Sequence, residues 1–332
     1  MQNSSEPVRP VFVGIGEVLF DVFEDGLETL GGAPLNVAVH LHQLAESLLL
    51  GPAAIVSCIG NDSRGERIRL ALDRIGLSTR YLTTHPTRPT GKVSIWIRQG
   101  EPAYQIESDA AWDEIEASRA LEELASTCDA VCFGSLAQRS AVSRATIRNF
   151  LVRAKHAVRL YDVNLRRNSV SGEEGYSAEI VDTSCSLATI IKANRSELFT
   201  VCELLGLKRV VDDDETQVRR AMHLLLARFP VHAVVVTSAA KGTILLTRER
   251  ETRILTAPLP PDAVHPVGAG DACSAGILFG LTLGWSTKTA AQLGNLLGTW
   301  VASQQSATPT LPDGILGPLR ERVIQIPQLE RS

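Results

Sequence analysis

The sequence predicts an α/β protein with a doubly wound, mostly parallel sheet and a small additional β-sheet lid. Short apolar runs alternate along most of the chain with segments that carry apolar residues at helical spacing. Polar residues follow several of these runs directly, where ligands bind in such sheets. No repeat and no linker rich in Pro, Gly or Ser divides the chain, so we expect one domain over residues 11–332 after a loose polar tail, residues 1–10.

Each predicted strand is a short apolar or β-branched run. These runs cover residues 11–16, 54–59, 129–134, 158–163, 190–193 and 233–237. Each predicted helix has apolar residues three and four positions apart, as Val37, Leu41 and Leu44 show for the first. These segments cover residues 36–44, 64–75, 144–155, 195–205, 218–229 and 287–304. Residues 242–246 and 252–255 predict a hairpin, and four acids at residues 212–215 are interpreted as a solvated helix cap rather than a metal site.

Two segments break the alternation of strands and helices. Residues 17–30 contain an alternating polar and apolar stretch that includes Asp21. Residues 90–107 hold two alternating runs rich in β-branched residues, which predict an antiparallel hairpin. Together these segments predict the strands of the lid.

Composition excludes several classes of function. The formal charge of −4 and the absence of a Lys/Arg run argue against a nucleic-acid partner. No apolar run is long enough to span a membrane, and the polar start lacks the apolar core of a signal peptide. The six cysteines are scattered without zinc-site spacing, which indicates buried free thiols, a reducing compartment and therefore the cytoplasm.

Gly268-Ala269-Gly270-Asp271 precedes an apolar helical stretch and is the strongest chemical motif. Small residues let backbone N–H groups approach a ligand, and the first turn of a helix attracts anions. We expect Gly268, Ala269 and Gly270 to form an anion hole for a transferring phosphoryl group. Asp271 would then act as the base that takes a hydroxyl proton. The alternative is a helix with a glycine turn and a capping Asp.

This motif resembles the second signature of the PfkB (ribokinase-like) carbohydrate kinase family. Gly31-Gly32-Ala33-Pro34-Leu35-Asn36 resembles the first signature, in the form seen in bacterial fructokinases. Residues 162–166 resemble the Asp-x-Asn-x-Arg segment of the family, and residues 194–197 resemble its Asn-x-x-Glu motif. The four motifs occur in the family's order, and the resemblance extends from about Val11 to Pro312. It implies a ribokinase-like fold and ATP-dependent phosphorylation of a sugar.

The resemblance assigns sugar binding to a set of residues near the first signature and the central segment. These residues are Asp21, Gly31, Gly32, Asn36 and Arg166. Carboxylate and amide groups suit adjacent hydroxyls, because they accept and donate several hydrogen bonds. The alternatives are a helix cap for Asn36, a solvated lid residue for Asp21, and an internal ion pair with Asp162 for Arg166.

The nucleotide and the metal are assigned in the same way. The resemblance places ATP near Asn194, Thr237, Gly242 and Asn295, and it places Mg²⁺ and its water shell near Asn194 and Glu197. Magnesium prefers oxygen ligands and keeps several waters, which suits an amide and a carboxylate one helical turn apart. A helix cap with an exposed acid would show the same sequence.

Three departures from the family pattern affect these assignments. His265 and Pro266 replace the usual Asp-Thr, and Ser306 replaces a glycine near the cation loop. Because alkali cations prefer oxygen ligands, these changes count against activation by a monovalent cation such as potassium. A protonated His265 could supply part of the missing positive charge. Ala239 replaces a glycine after Thr237, and it would be strained if that position has a positive φ.

The sequence therefore predicts an ATP-dependent sugar kinase with fructose as the first candidate acceptor. Residues 109–113 and 133–138 also resemble fructokinases. The alternatives are a kinase for 2-keto-3-deoxygluconate or another furanose, and a non-catalytic sugar- or nucleotide-binding regulator. Members of the family with a lid often dimerise through it, and the apolar face of Val93, Ile95 and Ile97 needs cover from the main domain or from a second subunit. A homodimer is thus expected.

Overall fold

Two β-sheets organise the chain in a computed structural model that describes residues 10–98, 101–167, 171–172, 174–207, 214–256 and 267–323. The large sheet has nine strands in the order β13-β12-β11-β10-β9-β8-β1-β4-β5. They are β1 (Phe12–Ile15), β4 (Ala53–Gly60), β5 (Leu82–His85), β8 (Ala130–Phe133), β9 (Val158–Asp162), β10 (Ile190–Asn194), β11 (Ala233–Thr237), β12 (Thr243–Thr247) and β13 (Glu251–Ile254). Seven neighbouring strands of this sheet, in the order β11-β10-β9-β8-β1-β4-β5, pair in parallel. In the register of β1, for example, Gly14 lies between Ile55 of β4 and Cys132 of β8. Strands β12 and β13 add an antiparallel edge.

Helices cover both faces of this sheet. They are α1 (Ala33–Ser47), α2 (Ser63–Arg74), α3 (Arg119–Thr127), α4 (Ala141–Arg153), α5 (Ala178–Leu187), α6 (Arg195–Leu204), α7 (Glu215–Arg228), α8 (Ala269–Thr282), α9 (Thr287–Ala302) and α10 (Asp313–Val323). One apolar core joins the sheet to α1, α2, α8, α9 and α10, and a second core joins its other face to α3 through α7. The predicted doubly wound α/β class is confirmed. The structure also contains strand β5 and helices α3, α5 and α10, which the sequence analysis did not predict.

The small sheet has the strand order β3-β2-β6-β7. Its strands are β2 (Leu19–Phe23), β3 (Glu28–Gly31), β6 (Gly91–Arg98) and β7 (Glu101–Ile106). The hairpin of β6 and β7 is antiparallel, as its alternating pattern predicts, and β2 pairs with β6 in parallel. Val93 and Ile95 line a cavity between the two sheets. Their apolar face is thus turned toward the main domain, and the homodimer stays a prediction.

Helices α8 and α9 approach each other closely through glycine. A Cβ atom built on Gly276 would lie 2.7 Å from the Cα atom of Gly294, so a side chain there would push the two helices apart. Ring stacking of Phe12 on Phe279, at 5.4 Å between centroids, joins α8 to β1. This packing fixes the start of α8 relative to the ends of the central strands.

Other sequence expectations concern the tail, the cysteines and the membrane. The expected loose tail lies outside the described residues except for Pro10, which is buried. All six cysteines are free and buried, and the cytoplasmic location inferred from them stays a prediction. Within the described part of the chain, the helices are too short or too polar to cross a membrane.

Candidate active site

A cavity of about 510 Å³ lies between the carboxyl ends of the central strands and the small sheet. Its polar lining includes Glu17, Asp21, Asn36, Asp162, Asn164, Arg166, Lys192, Asn194, Glu197, Thr237 and Asp271. The backbones of Gly32, Gly268 and Gly270 also contribute to the wall. The four motifs of the sequence therefore meet in one place, as the topology of a parallel α/β sheet requires.

Asp271 lies in the first turn of α8. Gly268, the residue at the N-cap of this helix, takes a left-handed conformation with φ of 79°. A Cβ atom on Gly268 would lie 2.6 Å from the Cα atom of Ala307, so this turn requires glycine. No side chain caps α8, and Asp271 is therefore not the plain helix cap of the alternative interpretation. Burial is the main reason that the pKa of Asp271 rises to about 7, and repulsion from Asp162 adds to it.

Asn36 positions the carboxylate of Asp271. Its Nδ2 atom donates a hydrogen bond of 2.8 Å to Asp271 Oδ2, which favours the charged form of the acid. The residue at the N-cap of α1 is Gly32, with φ of 112°, so Asn36 is not the helix cap that the alternative interpretation required. The buried Oδ1 atom of Asn36 has no hydrogen-bond partner among the described residues, and it remains available for a ligand.

Lys192, a cation in the apolar strand β10, belongs to the site although sequence reasoning did not select it. Its Nζ atom lies 2.9 Å from Asp162 Oδ2, and Ser274 Oγ donates a 2.6 Å hydrogen bond to the same oxygen. Burial alone would lower the pKa of Lys192, but the Asp162 charge raises it, so the lysine stays protonated. Asp162 therefore pairs with Lys192, and the alternative ion pair between Asp162 and Arg166 is wrong.

Arg166 is an exposed cation at the cavity wall. Its Nη1 atom donates a hydrogen bond of 3.5 Å to the carbonyl of neighbouring Leu165. Burial raises the pKa of four carboxyl groups on this wall, and the charge of Arg166 partly offsets each rise; the groups belong to Glu17, Asp21, Glu197 and Asp271. A guanidinium near all four acids is suited to contact an anionic group that enters the cavity.

Asn194 and Glu197 form a capping box at the start of α6. Asn194 Oδ1 accepts a 2.9 Å hydrogen bond from the Glu197 backbone, and Glu197 Oε2 accepts one of 2.8 Å from the Asn194 backbone. The helix-cap alternative is thus present in the structure, yet both residues also line the cavity. Their oxygen donors fit Mg²⁺, which takes one or two protein ligands and completes its shell with water and phosphate. Within the described residues, no cluster of three or more His, Cys, Asp or Glu side chains forms a ready-made cage.

Two acids lie on the side of the cavity next to the small sheet. Burial raises the pKa of Asp21 on β2 to about 6, and Arg166 partly offsets this effect. Burial also raises the pKa of Glu17, between β1 and β2, to about 7. Asp21 thus lines the site rather than lying in solvent. Glu17 was missed, and its signal was an acid directly after the glycine that ends a buried strand.

Four predicted site residues do not line this cavity. Gly31 supports Asp21 from behind, since a Cβ atom there would lie 2.7 Å from Asp21 Oδ2. Ala269 is the first residue of α8. Gly242, with φ of 85°, packs against the Ile254 carbonyl in the β12–β13 hairpin. Asn295 accepts a 2.7 Å hydrogen bond from Thr243 Oγ1 and joins α9 to β12. The roles of Gly31 in sugar binding, of Ala269 in the anion hole, and of Gly242 and Asn295 at the nucleotide stay predictions.

The departures from the family pattern have different outcomes. Ala239 does take a left-handed conformation, with φ of 43°, so the strain expected from its side chain is present. Ser306 Oγ accepts a hydrogen bond of 3.2 Å from the backbone of Thr308. His265 and Pro266 lie outside the described residues. A compensating charge on His265 and activity independent of potassium therefore stay predictions.

The two segments that suggested fructose have structural contacts. Arg139 stacks over Trp112 at 4.0 Å and forms hydrogen bonds of 2.7 and 2.9 Å with Asp113. Ser135 bonds to the Tyr161 hydroxyl at 2.6 Å. The preference for fructose that these two segments suggested stays a prediction.

The chain is similar to several known proteins. The sequence profile of the pfkB family carbohydrate kinases matches residues 23–314. An ATP-dependent 6-phosphofructokinase of Thermoanaerobacterium thermosaccharolyticum is 25% identical over 314 residues, 90% of each chain. A fructokinase of Klebsiella pneumoniae is 26% identical over 275 residues, 80% of this chain and 83% of that one. A fructokinase of Xylella fastidiosa with bound ATP superposes with a TM-score of 0.77 at 20% identity, covering 94% of this chain and 98% of that one.

Proposed function

The chain belongs to the PfkB family and is an ATP-dependent carbohydrate kinase, and we propose that it phosphorylates a neutral sugar. Fructose is the first candidate for this sugar, and Asp271 is the proposed general base. One observation carries the assignment of the base. Asp271 lies at the start of α8 on the cavity wall, next to backbone that can accept an anion, with a pKa of about 7. A base with a pKa near the working pH is efficient in general base catalysis.

Charge in the cavity supports a neutral acceptor. The carboxyl groups on its wall belong to Glu17, Asp21, Asp162, Glu197 and Asp271. The described cations on that wall are Arg166 and Lys192, and Lys192 is already paired with Asp162. A sugar acid or a sugar phosphate would bring further negative charge to a wall with one unpaired cation, which Coulomb repulsion disfavours. A hydroxyl-rich neutral sugar can instead use the carboxylates as hydrogen-bond acceptors.

The proposed reaction is a direct in-line transfer. Asp271 accepts the proton of one acceptor hydroxyl, its oxygen forms a bond to the γ-phosphorus, and the bond to the bridging oxygen breaks to release ADP. N–H groups at residues 268–270 face the charge that develops on the phosphoryl oxygens. Asn36 keeps the Asp271 carboxylate oriented throughout. Magnesium, when bound with the nucleotide, would be held near Asn194 and Glu197 and would neutralise phosphate charge.

The acceptor is identified by an ADP-release assay over fructose, ribose, tagatose, 2-keto-3-deoxygluconate and adenosine, with and without potassium. We expect the highest kcat/KM for fructose or another neutral sugar. A preference for 2-keto-3-deoxygluconate would overturn the charge argument. Sugar binding in calorimetry without ADP release from any acceptor would instead identify a non-catalytic regulator. An equal rate with and without potassium is expected from the changes at His265 and Ser306.

A further inference from the structure

Glu17 is a buried acid at the cavity that the proposed mechanism does not use. It lies in the short connection between β1 and β2, is only 3% exposed, and is one of the residues that line the cavity. A Cβ atom on Gly32 would lie 2.4 Å from the Glu17 carbonyl oxygen, so the backbone here packs directly against the start of α1. This packing fixes the backbone of Glu17 beside the cavity.

One oxygen of this carboxyl group lacks a partner. Glu17 Oε2 is buried and has no hydrogen bond to any described residue. A buried polar atom without a partner costs about 1–3 kcal/mol, so a ligand that supplies the partner recovers this free energy on binding.

The surroundings of Glu17 indicate what that ligand presents. The negative charge of Asp271 raises the pKa of Glu17, and the positive charge of Arg166 lowers it, so the carboxyl group lies within electrostatic reach of both. The charge of Asp271 disfavours an anionic partner. A hydroxyl group is suitable, because it donates to a carboxylate and accepts from a protonated carboxyl.

We propose that Oε2 of Glu17 binds a second hydroxyl of the acceptor sugar, which makes Glu17 a specificity-determining residue. The inference rests on the proposed function and extends it. Glu17 and Asp271 then contact the same sugar: Asp271 contacts the hydroxyl that is phosphorylated, and Glu17 contacts another one. An acceptor that lacks this second hydroxyl leaves the buried oxygen unpaired, and the site discriminates against it.

The test combines protein variants with a series of deoxy sugars. Glu17→Leu removes the carboxyl group at similar volume, and Glu17→Gln keeps an oxygen and adds a donor. Glu66→Gln, on the exposed side of α2, is the matched control. Dissociation constants from calorimetry and kcat/KM are measured for the best neutral acceptor and for its monodeoxy analogues. Binding does not need turnover, so the test is also valid if Asp271 is not the base.

We expect Glu17→Leu to weaken binding of the full sugar by about 10- to 100-fold, as loss of a hydrogen bond to a carboxyl group predicts. For one deoxy analogue, wild type and Glu17→Leu should bind equally, because the partner hydroxyl is already missing. Glu17→Gln should keep most of the affinity for the full sugar.

Two results would overturn the inference while leaving the proposed function intact. One is unchanged affinity in Glu17→Leu, and the other is a loss of the same factor for every analogue, which indicates a structural role. If Glu17→Leu does not fold by circular dichroism, Glu17→Ala takes its place, and a loss of affinity by the same factor for every analogue overturns the inference. A wild-type protein that binds no sugar would overturn the proposed function as well.

Discussion

Replacing the proposed base should stabilise the protein while it removes activity. Burial raises the pKa of Asp271 from 3.8 to about 7, so the folded protein holds this proton more tightly than the unfolded chain. As the pH rises from 3.8 to 7, the unfolded state loses the proton first, and the free energy of unfolding falls by about 1.4 kcal/mol per pH unit. At pH 8 the charged Asp271 therefore lowers the free energy of unfolding by about 4 kcal/mol.

Asp271→Asn removes this cost without removing the contact, since the amide oxygen can still accept the hydrogen bond from Asn36. The variant should be more stable than wild type by about 4 kcal/mol at pH 8 and by about 2 kcal/mol at pH 5. Urea unfolding of both proteins at the two pH values measures this difference. Asp73→Asn, at an exposed position of α2, is the control and should show no such difference. A variant that is less stable at pH 8, or a difference that does not change with pH, would refute the reasoning.

Three further predictions test other parts of the structure. Ala239→Gly relieves the left-handed conformation and should raise the free energy of unfolding by about 1 kcal/mol in urea; a lower value would contradict the strain. Lys192→Met leaves Asp162 buried without its cation and should lower the free energy of unfolding, measured by thermal unfolding, by about 3–5 kcal/mol. The double variant Lys192→Met with Asp162→Leu should recover most of this loss of stability. A loss below about 1 kcal/mol in the single variant would show that the pair is not tight. Gly268→Ala places a Cβ atom 2.6 Å from Ala307 and should lower kcat at least about tenfold in steady-state kinetics; an unchanged kcat would contradict the fixed turn.

Much of the fold and the position of the site follow from sequence pattern. Parallel strands leave their polar residues at one edge of the sheet, so motifs that follow different strands had to meet. This is why Asp271, Asn36, Arg166 and Glu197 line one cavity. The hairpin of β6 and β7 could be predicted for a related reason, since its alternation of side chains has a period of two.

Pairing between residues could not be predicted in the same way. Asp162 had two cations within reach of the same sheet edge, and only the parallel register of β9 with β10 selects Lys192. Asn194 and Glu197 satisfy a helix cap and line the cavity at once, so sequence alone could not separate these roles. Glu17 was missed because an acid after a strand resembles a solvent-exposed residue until its burial is known.

The central claim is that Asp271 takes the proton from the acceptor sugar. The most direct test compares ADP release by wild type, Asp271→Asn and the control Asp73→Asn, at saturating ATP with the best acceptor of the panel. General base catalysis predicts that kcat falls by about 10²- to 10⁴-fold in Asp271→Asn and is unchanged in the control. Wild-type kcat/KM should rise as the pH increases through about 7, as the free enzyme loses the Asp271 proton. Wild-type turnover in Asp271→Asn, in a folded protein, would contradict the account.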